Sequence, residues 1–172
     1  MIRSIFNRFA RETRRCVEAG VEEARILGHD SVGDEDLLLG ILRADEGGAA
    51  EALSSLGVTL EGAREESEGM LSDALSSIGI SLEEVRREAG DTFDMSILDE
   101  RRIPFSPRAK KVLERGLREA MRFRDNHLGT EHVLLGILSN EDGMAVRMMD
   151  RMGISPEVVE DRLFELRGRA AD

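Results

Sequence analysis

The chain has 172 residues, with 35 acidic against 24 basic side chains and a formal net charge of −11. At 41% hydrophobic and 34% charged it folds rather than stays disordered. Its acidity, with aromatics at 3% and neither Trp nor Tyr, excludes a general nucleic-acid binder that stacks bases. One Cys excludes an internal disulfide and a multi-Cys zinc site, and no apolar run is long enough to span a membrane.

The opening MIRSIFNRFARETRR is Arg-rich like a transit peptide but lacks the apolar core of a secretory signal. The repeat described next gives it a structural role. Residues 10–27 place Val17, Val21, Ala24 and Leu27 on one stripe, which predicts an amphipathic helix. A short buried helix follows around LLLGIL, then a helix ending at Gly57 and another starting near Leu60. Residues 90–104, GDTFDMSILDERRIP, read as a linker. Ser106-Pro107 then opens a helix carrying Val112, Leu113, Leu117, Ala120 and Phe123 on one face. A second buried helix contains VLLGIL, another ends at Gly153, and Ser155-Pro156 starts the last. Gly57, Gly79 and Gly153 suit the left-handed position that ends a helix.

The second half copies the first. Residues 9–57 align with 105–153 at an offset of 96 without a gap, including LLGIL on LLGIL and Gly20, Gly33, Gly47 and Gly57 on glycines. Inside this repeat lies a smaller one, ALSSLGVTLEGAREE at 52–66 and ALSSIGISLEEVRRE at 74–88. The fold class is therefore all-α, with two tandem four-helix repeats and an inserted helical hairpin between them. The predicted division is 1–71 for repeat 1, 72–104 for hairpin and linker, and 105–172 for repeat 2. The two repeats are expected to pack as one domain.

Charge divides sharply along the chain: 28–100 is strongly acidic, whereas 101–126 carries a run of Arg and Lys. Most of that run reads as a solvated helix face. Its first turn is different. Ser106, Pro107 and Arg108 converge on free backbone N–H groups, which attract an anion. Gly129-Thr130-Glu131-His132 opens the VLLGIL helix. Thr130 suits a cap there, and Glu131 suits either the helix dipole or a ligand's cation.

Other chemistry is missing. The sequence has no phosphate-loop motif, no HExxH and no GxSxG elbow. His127, His132 and Glu131 match no common zinc spacing, so no metal and no cofactor are expected. Cys16 sits at an apolar helix position and reads as packed thiol. Met144, Met148, Met149 and Met152 share one helix and read first as core, second as an adaptable peptide surface.

The segment IPFSPRAKKVLERGLREAMRFRDNHLGTEHVLLGIL closely resembles the second repeat of the N-terminal domain of ClpC-type AAA+ unfoldases. The first repeat resembles the matching half more loosely. The chain stops where such an unfoldase would continue into its ATPase modules. The resemblance thus implies a stand-alone Clp N-terminal-domain protein, cytoplasmic and of the sort found in actinobacteria. It implies a docking module, not an enzyme, that receives phosphoarginine-marked proteins for a ClpC-type unfoldase, as adaptor or as sequestering protein. By resemblance Glu131 accepts the guanidinium, Ser106, Arg108 and Thr130 take the phosphate, and Phe105 borders the pocket. The second site is degenerate: Ala10 and Glu12 replace a hydroxyl and a base, and Asp34, Glu35 and Asp36 stand where repeat 2 has Thr-Glu-His. Each close like charge near a surface costs about 1 kcal/mol, so repeat 1 is expected to reject phosphate. Phe6 and Phe105 match the wall of an apolar groove that receives macrocyclic peptide antibiotics in the family. Competing readings are an enzyme acting on a phosphorylated ligand and a DNA-associated regulator using residues 101–126. Neither nucleic acid nor a membrane is an expected partner.

Overall fold

The computed structural model describes residues 5–90 and 103–171. Among them are nine long helices: α1 (Arg11–Ile26), α2 (Asp34–Ala44), α3 (Gly47–Ser55), α4 (Leu60–Ser77), α5 (Leu82–Gly90), α6 (Pro107–Arg122), α7 (Thr130–Leu138), α8 (Met144–Arg151) and α9 (Pro156–Ala171). The fold is all-α, and α1–α4 and α6–α9 form the two four-helix repeats. Most of the 90–104 linker lies outside the described residues.

Local chemistry sets the helix ends. Ser106 Oγ accepts from Ala109 N at 3.0 Å with Pro107 as first helical residue, and Thr59 Oγ1 does the same for Gly62 N at 3.0 Å. Gly57, Gly79 and Gly153 adopt φ of 81°, 81° and 77°, as the sequence predicts. In each repeat the first two helices run antiparallel with backbones nearly touching. A methyl group on Gly40 would collide with the Cys16 carbonyl, and one on Gly136 with the Val112 carbonyl. The predicted stripes face inward: Val17, Ala24, Val112, Leu113 and Ala120 are buried, and Val21, Leu27, Leu117 and Phe123 are half-buried. Met148 and Met149 are fully buried, so the Met-rich helix serves the core.

The repeats close on each other through paired contacts. Val32 N donates to Pro104 O at 2.8 Å and Ser106 N to Val32 O at 2.9 Å. At positions 96 residues removed, Leu128 N donates to Arg8 O at 2.7 Å and Ala10 N to Leu128 O at 3.0 Å. Helix capping is exchanged in the same way. Asp34, at the start of α2, accepts from Ala145 N of α8 at 3.0 Å. Thr130, at the start of α7, accepts from Ala49 N of α3 at 3.2 Å. Each repeat thus supplies a side-chain cap for the third helix of the other. One hydrophobic core runs through both, with Leu38, Leu53, Leu113, Leu134 and Met149 among its buried members.

The inserted copy behaves differently from its original. Residue 72 falls inside α4, which runs unbroken to Ser77, so the copied hairpin consists of the end of α4 and α5. In the original, Leu53, Val58 and Ala63 are buried; the corresponding Ile80 and Val85 are 40% and 42% exposed. The copy retains an apolar pattern that it does not bury among the described residues.

Candidate functional site

The expected ligand set in repeat 2 is not brought together. Gly116 backs onto His132 and Gly136 onto Val112, so α6 and α7 are antiparallel. That arrangement puts Ser106 and Arg108 at one end of the pair and Thr130 and Glu131 at the other, roughly 18 Å apart at 1.5 Å rise per residue. The sequence alignment grouped them because motif matching ignores which ends of two helices meet.

Each half meets the opposite repeat instead. The Ser106 N–H···O=C Val32 bond sets the first turn of α6 beside the turn Gly33-Asp34-Glu35. The Glu35 carboxylate folds back over Gly33, where a methyl group would strike it. This first composite site therefore joins Phe105, Ser106 and exposed Arg108 to Glu35. The second joins the first turn of α1, with Ala10 and exposed Glu12, to Gly129-Thr130-Glu131. Ala10, Gly129 and Glu131 line one open cavity together with Asp125, His132 and Arg167.

The carboxylates read as hostile to phosphate in repeat 1 have other tasks. Asp34 is 1% exposed and caps α8. Asp36 is fully buried, accepts from Gly33 N at 2.8 Å and pairs with His29 Nδ1 at 3.0 Å. Neither carboxylate is free to meet a phosphate. Thr130 is 2% exposed with its hydroxyl on Ala49 N, which leaves it poorly placed as a phosphate ligand. Phe6 and Phe105 do meet, with ring centroids 5.9 Å apart, and Phe9 joins them 4.8 Å from Phe6.

The chain matches the Clp repeat (R) N-terminal domain over residues 8–72, 60–152 and 104–171. It belongs to the Clp repeat N-terminal domain family. Chaperone protein ClpC1, chloroplastic, of Oryza sativa subsp. japonica is 33% identical over 172 residues, which is 100% of this chain and 16% of that relative. A ClpA homolog described as an ATP-binding subunit of ATP-dependent Clp protease, from Cyanidium caldarium, is 34% identical over 170 residues, 99% of this chain and 17% of its own length. The chain thus spans about a sixth of the curated relatives it matches. Among solved structures, the N-terminal domain of ClpD from Arabidopsis thaliana superimposes with a TM-score of 0.69 at 23% identity, over 94% of this chain and 98% of that one. The Hsp104 N-terminal domain from Candida albicans gives 0.62 at 14% identity, over 93% and 91%.

Within this Clp repeat pair, the electrostatics of the two turns mirror each other with residues exchanged. Repeat 1 pairs His29 with Asp36, and repeat 2 pairs Asp125 with His132 at 2.9 Å. His132 Nδ1 accepts from Gly129 N at 2.9 Å, which puts the ring proton on Nε2, facing Asp125. Arg167 adds two bonds to Asp125, at 2.8 and 3.1 Å, and stacks 4.4 Å over the Phe123 ring. Arg167, through hydrogen bonding first, holds the Asp125 carboxyl below the usual carboxylate range. Burial first, then Asp36, pushes Glu35 up to about 7. The hydrogen bond to Asp36 raises His29. The groups His29, Glu35, Asp36 and Asp125, Glu131, His132 each converge closely enough to hold a cation. Yet both ring nitrogens of His132 are engaged and Asp125 is taken by Arg167, so metal entry there would break several existing bonds. His127 joins neither group. Burial pushes the Cys16 thiol up to about 12, which suits packing and not attack.

The exchange of His and Asp is visible in the sequence at an offset of 96, as His29 over Asp125 and Asp36 over His132. Crossed substitutions of that kind signal contact between the two positions. Arg167, Phe123 and Gly48, which shape the surroundings of Glu131, carry no motif.

No described helix is long and apolar enough to cross a membrane.

Proposed function

We propose that the chain is a non-catalytic docking module of a Clp-type proteolytic system. It holds one phosphoarginine at the first composite site. The observation that carries this is the Ser106 N–H···O=C Val32 bond, which sets the N-terminus of α6 against the turn bearing Glu35. The positive end of the α6 dipole and the Arg108 side chain and backbone N–H suit the phosphate, while Glu35 accepts the guanidinium N–H groups of the ligand. A bound cation lowers the Glu35 pKa from about 7 and ionises it. At the second site the first turn of α1 brings Ala10 and Glu12, which offer a phosphate neither a hydroxyl nor a base, and the Arg167 in that cavity is committed to Asp125. This reading keeps a stoichiometry of one and takes Glu35 as the acceptor in place of Glu131.

Partners under this reading are phosphoarginine-containing proteins and a ClpC-type unfoldase, in a cytoplasm that houses both. The Phe6–Phe9–Phe105 cluster between the repeats supports a neighbouring subsite for macrocyclic peptide antibiotics. Adaptor and sequestering roles share these sites and differ in whether the unfoldase is also bound. Calorimetric titration with free phosphoarginine, and with arginine as control, tests the site. One equivalent should bind, Glu35→Gln should abolish it and Glu131→Gln should not. Loss with Glu131→Gln and retention with Glu35→Gln would refute the composite arrangement.

A further inference from the structure

A second cavity opens on the other side of Glu131, between α3, α7 and α9. It has a volume of about 330 Å³. Its lining is apolar at Phe123, Leu135, Leu163 and Phe164 and charged at Glu51, Glu131 and Arg167. Phe164 is 40% exposed, an aromatic ring left partly in water beside a ready-made apolar wall. Glu51 has no partner among the described ion pairs, whereas Glu131 lies 3.8 Å from His132 Nδ1 and in the field of Arg167, whose guanidinium is committed to Asp125. An apolar wall beside two carboxylates, one of them without an ion-pair partner, fits a ligand that joins apolar bulk to a cation.

The repeat symmetry shows why this cavity is open. The residue 96 positions on from Gly48 is Met144, and the one corresponding to Glu51 is Arg147. Repeat 2 therefore carries a long side chain and a positive charge at the positions where repeat 1 offers a glycine and a carboxylate. Gly48 is not needed for backbone reasons, since its φ is not positive and a Cβ there would have 3.9 Å to its nearest neighbour, Glu131 Oε2. The missing side chain keeps the cavity clear.

From this we infer that the cavity takes an unmodified peptide segment presenting an aromatic or aliphatic side chain next to Arg or Lys. The apolar side chain packs against Phe123 and Phe164, and the basic one pairs with Glu51 and Glu131. This site needs no phosphate and does not involve Ser106, Arg108 or Glu35.

The test is fluorescence anisotropy of the full chain with fluorescein-labelled GSGSLRFRSGSG. Control peptides replace both Arg by Glu, or replace Leu and Phe by Ser. Binding should be saturable for the first peptide and at least ten-fold weaker for both controls. Gly48→Met, which copies repeat 2 and fills the cavity, should weaken it at least ten-fold, and Glu51→Arg likewise. Ser106→Ala with Arg108→Ala should leave it unchanged while reducing phosphoarginine uptake, so that the two sites fail separately. Should Gly48→Met lose its circular dichroism signal, Glu51→Arg at the exposed rim decides. Equal binding of either control, or indifference to both cavity variants, overturns the inference. So does a concentration-dependent dimer in sedimentation velocity that Gly48→Met abolishes, because the occupant would then be a second copy of the chain.

Discussion

Replacing Asp34 by Ala tests the exchanged caps most directly. The Asp34 carboxylate is 1% exposed and accepts from Ala145 N at 3.0 Å, in the first turn of α8. Removing an N-cap acceptor costs about 0.5–2 kcal/mol, and leaving a buried N–H unpaired costs roughly 1–3 kcal/mol. These overlap as descriptions of one bond, so a loss of about 2–3 kcal/mol is expected. For a chain of this length each kcal/mol lowers Tm by about 2–4 °C, which gives roughly 4–12 °C. Asp34→Thr should recover most of the loss, because Thr130 performs the same task for Ala49 N at 3.2 Å in the other repeat. Urea unfolding followed by circular dichroism at 222 nm suits a chain without Trp or Tyr. A loss below about 0.5 kcal/mol for Asp34→Ala, or an Asp34→Thr variant as unstable as Asp34→Ala, would refute the view that Asp34 is there to hold α8.

Glu23 is fully buried and takes Arg43 at 3.1 Å and Arg64 Nε at 3.0 Å, joining α1 to α2 and α4. Both arginines are 38% exposed and rehydrate when released, so Glu23→Ala should cost about 1–2 kcal/mol rather than the full penalty of a buried ion pair, checked by the same urea titration. Stability should fall between pH 5 and pH 8. Glu35 and His29 both have folded pKa values raised above their ordinary ones, so the folded state binds more protons and their contribution is lost as pH rises, for Glu35 through about 7. Glu35→Gln should flatten that slope in urea midpoints measured across the range; an unchanged slope would assign it to other groups. Ala10→Ser with Glu12→Arg should create a second phosphoarginine site opposite Glu131, seen as a stoichiometry near two by calorimetry. A folded double variant that still binds one equivalent would show that side chains at α1 are not what silences that site.

The all-α class and the helix ends were legible because they rest on short-range chemistry. Ser106-Pro107 declares a helix start, and Gly57, Gly79 and Gly153 declare stops, whatever surrounds them. The duplication was legible because Gly20, Gly40, Gly116 and Gly136 are held in place by backbone contact and tolerate no substitute. Which helix start meets which turn was not legible. Ser106 and Glu131 belong to one continuous motif, yet sixteen residues of helix α6 stand between the two ends. Which end meets which repeat is decided by the pairing of Val32 with Ser106, bonds made by backbone atoms that leave no mark in residue identity. Asp34 and Asp36 misled for a related reason. Charge counting assumes a carboxylate faces solvent, and these two face Ala145 N, Gly33 N and His29.

The paired contacts around Val32 and Leu128 and the traded caps of Asp34 and Thr130 have the pattern of an isologous dimer that has been joined into one chain. In a self-associating ancestor every change on the interface would have appeared twice. A single chain is free of that constraint, and the His29–Asp36 and Asp125–His132 pairs display the freedom, since each side satisfies the same bond with its two residues transposed. The same freedom lets Ser106 and Arg108 stand opposite Ala10 and Glu12, and Met144 opposite Gly48. Two faces of different chemistry are therefore available to a fused pair and closed to two identical subunits.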